Sequence, residues 1–215
     1  MHKLKVLGLA LVVIGALSAA AANSACAEYH INNAAGGSIT ASKKVINEFG
    51  TDVGTVKCSV STFSGSLAAE TAAILTVHPT YSGCTLGGLS VTISTAACSF
   101  ILGGTVTPGL TAPVSVECGA GNIVIRDSLG LACEVKVPTQ TPSGGVTFTS
   151  VAGGTVSVAA AVSNIKYSWT ASCPSKTAAG GTSEPVNIGS IGTYSGEVTA
   201  TGTKSGGGAA EIMVT

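Results

Sequence analysis

The sequence contains few charged and few aromatic residues. Only 9% of its 215 residues are charged and 4% are aromatic, whereas 45% are hydrophobic and 29 are glycine. Low hydrophobicity combined with high net charge keeps a chain unfolded, and this sequence has neither property. Ten basic residues balance ten acidic residues, so the composition provides no positive field that would attract a nucleic acid. We therefore expect a folded protein that does not bind nucleic acid.

The sequence also lacks the motifs of common catalytic, metal and phosphate sites. It contains no Gly-x-Ser-x-Gly segment, no Cys-x-x-Cys pair, no Asp-x-Asp-x-Asp-Gly loop and no glycine-rich loop followed by Lys-Ser or Lys-Thr. Beyond the N-terminal segment the histidines are His30 and His78, and the Pro79 that follows His78 favours a surface turn. Glu117 and Glu134 fall on the polar faces of predicted strands. These observations predict no catalytic residue, no metal site and no cofactor.

The first 27 residues have the features of an export signal. Lys3 and Lys5 precede an uninterrupted apolar stretch at positions 6–17, and small residues follow up to Ala27. The apolar stretch is shorter than the roughly 20 residues that a membrane-spanning helix needs. We therefore predict a signal peptide over residues 1–27, a mature chain that begins at Glu28, and no stable membrane span.

An alternative is a lipoprotein that is anchored through Cys26. Asn23 stands where lipoprotein signals carry an aliphatic residue, so this alternative fits the sequence less well than cleavage after Ala27. We accordingly predict a secreted, extracellular protein.

The cysteine count favours disulfide bonds. Cleavage after residue 27 leaves six cysteines, and an even number in an exported chain predicts three bridges among 15 alternative pairings. Strand alternation places Cys58 on one face with Val56 and Val60, and it likewise places Cys118 and Cys133 on the same strand faces as valines. We therefore expect buried, inert bridges formed by Cys58, Cys84, Cys98, Cys118, Cys133 and Cys173.

Short runs rich in valine, isoleucine and threonine recur between glycine pairs and predict about a dozen short strands. This pattern is typical of a sandwich or a barrel. We predict an all-β, disulfide-stapled, β-sandwich-like domain over residues 28–203, divisible into similar halves at about 50–110 and 111–203. A glycine-rich segment and a C-terminal strand follow at 204–215. The predicted strands lie near 38–42, 45–49, 54–62, 72–78, 88–95, 98–102, 112–118, 122–126, 131–137, 145–150, 154–162, 164–170, 193–201 and 210–214.

A weak internal repeat bears on the pairing of the cysteines. Two blocks share the order cysteine, strand, glycine turn, Thr-Val strand, Tyr-Ser and cysteine, and they run from Cys58 to Cys84 and from Cys133 to Cys173. A duplication would pair the two ends of each block and leave Cys98 with Cys118. The alternative is that abundant glycine, serine and threonine produce the echo by chance, which leaves the connectivity open.

Several segments form a recognisable pattern, among them Gly54-Thr55-Val56-Lys57-Cys58, Tyr81-Ser82-Gly83-Cys84, Val116-Glu117-Cys118, Ile165-Lys166-Tyr167, Cys173-Pro174 and Tyr194-Ser195-Gly196. This pattern resembles a group of uncharacterised secreted six-cysteine proteins that are abundant in soil actinobacteria. The similarity covers about residues 50–202, and the order of the six cysteines is its most specific part. The resemblance implies a secreted β-rich module and supplies no activity, substrate or catalytic residue.

We predict a secreted or cell-surface, non-enzymatic binding or structural module whose ligand or protein partner is unknown. Tyr167 and Trp169 are weak ligand-binding candidates, since two rings on one strand face form either part of the core or a stacking platform for a sugar. One alternative is a secreted hydrolase, which would require His78 to lie in a pocket with a serine and an acid. Another is a cell-envelope β-barrel or pore. Such barrels carry girdles of aromatic residues, and a content of 4% aromatic residues is too low to form them.

Overall fold

The computed structural model describes residues 28–32, 35–95, 98–103, 110–129, 132–170, 172–173 and 185–214. The predicted signal peptide lies outside these residues. The described residues form fifteen strands and no helix, so the predicted all-β class is confirmed. Within these residues there is accordingly no helix long and apolar enough to span a membrane. In chain order the strands are β1 Tyr29–Ile31, β2 Gly37–Thr51, β3 Gly54–Leu67, β4 Thr71–Ala72, β5 Ile74–Leu86, β6 Leu89–Ser94, β7 Cys98–Gly103, β8 Thr111–Cys118, β9 Ile123–Asp127, β10 Glu134–Val137, β11 Ser143–Val151, β12 Thr155–Thr170, β13 Pro185–Lys204, β14 Ala209–Ala210 and β15 Ile212–Val214.

Twelve of the strands form one antiparallel sheet that closes on itself. Five long strands of 13 to 20 residues, β2, β3, β5, β12 and β13, run its full length. At one end β6, β9 and β10 connect β5 to β12, and at the other end β7, β8 and β11 connect the same two strands. Since β12 also pairs with β13, each end is a closed circuit of strands, and the two circuits share the long strands.

Gln140 connects β8 to β12 at the point where the two circuits divide. Its backbone forms a β-bridge to Val116, with N···O distances of 2.8 and 2.9 Å. Its side chain accepts a hydrogen bond from the Lys166 backbone N at 2.7 Å and donates one to the Lys166 carbonyl at 2.8 Å. Gln140 thus satisfies backbone groups at the point where the sheet divides.

The long strands are longer than the sequence pattern predicts. The predicted strands 38–42 and 45–49 are the two parts of β2, and 154–162 and 164–170 are the two parts of β12. The register of each strand shifts at the predicted break, between Ser42 and Asn47 and between Val162 and Ile165. A β-bulge changes which side chains face inward without ending the strand. In the sequence pattern such a change looks like a break between two separate strands. Strand β1 is not predicted at all.

The predicted inward orientation of Val60 is wrong. Val56 and Cys58 are buried as expected, but Val60 is 48% exposed and Ser61 takes its place inside. Gly83, whose φ of 58° is in the left-handed region, lies opposite this point, and a Cβ on it would stand 2.1 Å from Ser59 Oγ. The inward face therefore shifts by one residue along β3.

The core consists of two clusters of buried side chains. The first, which we call the disulfide cluster, lies at the end built from β6, β9 and β10 and comprises Phe49, Val53, Val56, Cys58, Cys84, Leu86, Val91, Cys98, Val116, Ile123, Ile125, Cys133, Val135, Val137, Val162, Ile165, Tyr167, Trp169 and Cys173. The second, which we call the terminal cluster, comprises Tyr29, Ile31, Ile39, Leu67, Leu75, Val77, Leu102, Ala112, Val114, Val146, Phe148, Val156, Ala200, Ala210, Ile212 and Val214.

A small separate sheet completes the terminal cluster. In it β1 pairs with β15 and with β4, so the first and last described strands lie side by side. Tyr29 of β1 packs edge to face on Phe148 of β11, with ring centroids 5.7 Å apart. Strands β1 and β15 therefore bury apolar side chains against the main sheet.

Three disulfide bonds join neighbouring segments of the sheet, two of them within paired strands and one, Cys133 to Cys173, just outside the ends of β10 and β12. They connect Cys58 with Cys84, Cys98 with Cys118 and Cys133 with Cys173, which is the pairing that the internal repeat predicts. Cys58 and Cys84 are direct register partners on β3 and β5, and Cys98 and Cys118 are partners on β7 and β8. The disulfide-stapled fold is thus confirmed, whereas the duplication that suggested the pairing remains a prediction.

Candidate functional site

An apolar cavity of about 160 Å³ lies between the two clusters. Both clusters contribute to its wall, which is built from the inward faces of the long strands and of the shorter strands at each end. No Lys, Arg, His, Asp or Glu of the described residues lines it. Typical wall residues are Phe49, Val116 and Ile125 from the disulfide cluster and Val77, Leu102 and Val146 from the terminal cluster.

Three polar side chains on this wall form a hydrogen-bonded chain. Tyr194 Oη donates to Asn47 Oδ1 at 2.9 Å, and the hydroxyl oxygens of Tyr81 and Tyr194 are 3.4 Å apart. The Tyr194 proton is already directed at Asn47, so the Tyr81 hydroxyl is the donor in the second contact. Burial raises the pKa of Tyr194 to about 12, and burial beside Tyr194 raises the pKa of Tyr81 well above its usual value. Both phenols are therefore neutral at physiological pH.

The position of Asn47 depends on a glycine on the adjacent strand. Asn47 lies on β2, just after the register shift relative to β3, and is only 4% exposed. Gly196 on β13 also lines the cavity, and a Cβ at this position would stand 1.9 Å from Asn47 Oδ1. A larger residue at position 196 would thus displace the amide from its hydrogen bond with Tyr194.

The Asn47 amide keeps an unused donor. Within the described part of the chain, four buried side chains carry a polar atom without a hydrogen-bond partner, namely Tyr29, Asn47, Ser61 and Trp169. Of these four, Asn47 is the one that lines the cavity, and the unpartnered atom is Nδ2. A buried donor left unpaired costs about 1–3 kcal/mol.

The predicted ligand-binding candidates Tyr167 and Trp169 belong to the core. They are 2% and 4% exposed, and neither lines the cavity. Tyr167 Oη accepts a hydrogen bond from the Asp52 backbone N at 2.6 Å, and its ring packs edge to face on Phe49 at 5.7 Å. The two rings therefore form no exposed stacking platform, and their interpretation as core residues is confirmed.

His78 lies on the exposed outer face of β5, outside the cavity. Its Nδ1 is 3.1 Å from Ser99 Oγ on the neighbouring β7, and Ser99 in turn is the register partner of Glu117 on β8. Among the described residues no carboxylate hydrogen-bonds to His78, and Glu117 is adjacent to the serine rather than to the histidine. This arrangement differs from the nucleophile, base and acid order of a serine hydrolase.

Glu117 and Glu134, which alternation places on polar strand faces, lie on the outer face of the sheet. Glu117 is exposed, and Glu134 forms ion pairs with Lys136 and Arg126. Hydrogen bonds from Lys136 and Arg126 lower the pKa of Glu134, which is opposite to the raised pKa that a general acid needs. Their interpretation as surface residues agrees with this geometry.

Asn47, Tyr81 and Tyr194 are not among the site residues that the sequence predicts. A signal was present for Asn47, because alternation in the predicted strand 45–49 places this polar residue on the same face as Phe49. The two tyrosines gave no comparable signal, since they are far from Asn47 in the sequence. No protein-family model, curated protein or solved structure matches this chain. Its function therefore has to be inferred from the chemistry of the cavity.

Proposed function

We propose that this protein is an exported, non-enzymatic binding module that takes up a small apolar molecule in the cavity between the two clusters. The cavity of about 160 Å³ carries this proposal. An apolar protein cavity of about 150 Å³, lined by leucine, isoleucine and phenylalanine, stays dry and binds benzene. The wall described here has the same chemistry, so a ligand of similar size would gain contacts that water cannot provide.

The energetic cost of an empty cavity supports a binding role. At about 24 cal/mol per Å³ of cavity, a volume of this size costs roughly 4 kcal/mol of stability. This is a large fraction of the 5–15 kcal/mol that stabilises a typical domain. A bound apolar molecule restores the missing van der Waals contacts and removes much of the cost.

The covalent structure supports an extracellular location. Three disulfide bonds persist in oxidising compartments, and the N-terminal segment has the composition of an export signal. We propose that the signal is removed after Ala27 and that the secreted chain begins at Glu28, in keeping with the resemblance to secreted actinobacterial proteins. The bridges would keep the wall of the cavity rigid outside the cell.

The proposal is tested with benzene as the probe on the secreted protein with its bridges intact. Ala160 lines the cavity, and the next residue of β12, Ala161, faces solvent. Ala160→Leu fills part of the cavity and is expected to weaken benzene binding at least tenfold, whereas Ala161→Leu is expected to bind like the unmodified protein. Calorimetric titration gives the affinities, and the shift of the thermal unfolding midpoint with benzene provides an independent measurement.

Two results would contradict the proposal. The first is an unfolding midpoint of the unmodified protein that benzene does not raise. The second is an Ala160→Leu variant that binds benzene as tightly as Ala161→Leu does, because binding would then take place outside the cavity.

A further inference from the structure

We infer that the apolar ligand enters and leaves the cavity through residues 138–142, which we call the gate segment and which the Gln140 side chain holds closed. This inference rests on the proposed function and adds the route of access to the same site. A route is needed because every residue that lines the cavity is buried or half-buried. The wall therefore has to open before a molecule of the size of benzene can pass.

The strand ladder is interrupted at the gate segment. Pro138 and Pro142 have no backbone N–H, so neither can donate a hydrogen bond to a neighbouring strand. Strand β10 ends before the segment and β11 begins after it. On the adjacent β12 the register partners jump from Ser168, which faces β10, to Ser163, which faces β11. The gate segment thus lies beside β12 without a continuous backbone ladder.

The interruption lies over the cavity. Pro142, at the end of the gate segment, lines the cavity, and so does Val137, which directly precedes the segment. Val116 and Ile165, on the strands to either side, line it as well. Val116 is the bridge partner of Gln140, and Ile165 is adjacent to the residue that the Gln140 side chain contacts. Outward movement of the gate segment would therefore open the cavity to solvent.

Few hydrogen bonds hold the gate segment in place. The Gln140 backbone makes two bonds to Val116, and its side-chain amide makes two to the Lys166 backbone. Thr139 and Thr141 are exposed and add side-chain hydrogen bonds to β8, which water can replace when the segment moves. Separating two of the long strands would instead break a run of consecutive backbone bonds. Local opening at the gate segment is therefore the least costly route.

The first test loosens the gate segment in the secreted protein with its bridges intact. Gln140→Ala removes both side-chain bonds to Lys166 and keeps the backbone bridge to Val116. Benzene should leave this variant about fivefold to a hundredfold faster, as the loss of two net hydrogen bonds predicts. The affinity should change by less than about twofold, because Gln140 does not line the cavity and the closed wall is the same. NMR exchange measurements give the dissociation rate, and calorimetric titration gives the affinity.

The control removes a side-chain contact at a different interruption of the sheet. The register of β2 against β3 shifts between Ser42 and Asn47, and in this stretch Lys44 Nζ is 2.7 Å from Glu197 Oε1. Lys44→Ala should leave the dissociation rate of benzene unchanged. Faster release from Lys44→Ala but not from Gln140→Ala would place the route at β2 and overturn the inference.

The second test closes the gate segment covalently and decides the matter if Gln140→Ala fails to fold. Ser115 Oγ on β8 is 3.1 Å from Thr141 Oγ1, so cysteines at these positions point towards each other and can form a bridge. The bridged Ser115→Cys/Thr141→Cys variant should release benzene about tenfold more slowly, since the segment can no longer leave β8. The matched control is Thr111→Cys/Thr147→Cys, at a hydroxyl pair 3.2 Å apart in the ladder between β8 and β11, which should release benzene at the unmodified rate. Non-reducing peptide mapping confirms the new bridges.

The outcomes separate the route from the proposed function. Release from bridged Ser115→Cys/Thr141→Cys that is as fast as from its control, or release from Gln140→Ala that is no faster than from Lys44→Ala, would overturn the gate while binding in the cavity still stands. If benzene does not bind the unmodified protein, the proposed function itself is wrong.

Discussion

The two ends of this molecule are stabilised by different means. The disulfide cluster contains five of the six bridged cysteines, and Cys118 packs against it. The terminal cluster contains no cysteine among its described members and is closed by strands from near the two chain ends, β1 and β15. The disulfide cluster thus contains the covalent bridges, and the terminal cluster relies mainly on apolar packing of segments that are distant in the sequence. The Cys98–Cys118 bridge connects the two, because it joins β7 and β8, which also supply Leu102 and Val114 to the terminal cluster.

The comparison shows that the two clusters of one sheet are stabilised by different kinds of interaction. The bridges close loops with sequence separations of 20, 26 and 40 residues, and such loops restrict the unfolded chain by roughly 2–4 kcal/mol each. At the other end Tyr29 and Ile31 on β1 are almost completely buried, and their burial supplies the stabilisation. The cavity lies where these two separately stabilised ends meet along the shared long strands.

The largest effect is expected from a large-to-small change in the terminal cluster. Phe148→Ala removes a buried ring that packs on Tyr29 and should lower the free energy of unfolding by about 3–5 kcal/mol. The neighbouring exposed residue provides the control, since Thr149→Ala should change stability by less than about 0.5 kcal/mol. Urea unfolding gives the stabilities, and hydrogen exchange should show the greatest loss of protection in β1 and β15. A loss concentrated instead in β9 and β10 would mean that the two ends are not separately stabilised.

A somewhat smaller effect is expected at the disulfide cluster. Replacing Cys133 and Cys173 together by alanine opens the longest loop and should cost about 2–4 kcal/mol. The corresponding double variant of Cys98 and Cys118 should cost several tenths of a kcal/mol less, because its loop is half as long. Non-reducing peptide mapping should find the other bridges unchanged in each variant. Appearance of a Cys84 to Cys98 peptide would contradict the independence of the bridges.

The smallest effect is expected on the outer face, where the Lys136 and Arg126 ion pairs lower the pKa of Glu134. A carboxylate whose pKa is lower in the folded state contributes stability above its ordinary pKa and loses it as the pH falls towards the folded value. Glu134→Gln should therefore cost less than about 1 kcal/mol at pH 7, as is usual for surface ion pairs. The difference from the unmodified protein should narrow steadily below about pH 4. A cost that grows on acidification would show that another group is responsible.

Predictions of burial from alternation are confirmed where every second residue of a strand continues to face inward. Val56 and Cys58 on β3 and Tyr167 and Trp169 on β12 have the burial that alternation implies. Alternation failed at Val60, because the inward face of β3 shifts by one residue after Cys58. The pairing of β3 with β2 is irregular over this stretch, and the glycine that lies opposite it, Gly83, belongs to a different strand. The site at Asn47 was not predicted for a related reason. Tyr194 bonds to Asn47 and Tyr81 contacts Tyr194, and the sequence does not show that the strands carrying these three residues come together.

The all-β class, the six cysteines available for bridges and the composition that disfavours nucleic acids follow from the amino-acid sequence. These properties depend on residue type and on a period of two, which are local quantities. The closure of the sheet into two circuits, the bulges along the long strands and the cavity between the clusters were decided by the tertiary structure alone. They depend on which distant strands pair and where their registers shift, and the energy of those contacts is non-local.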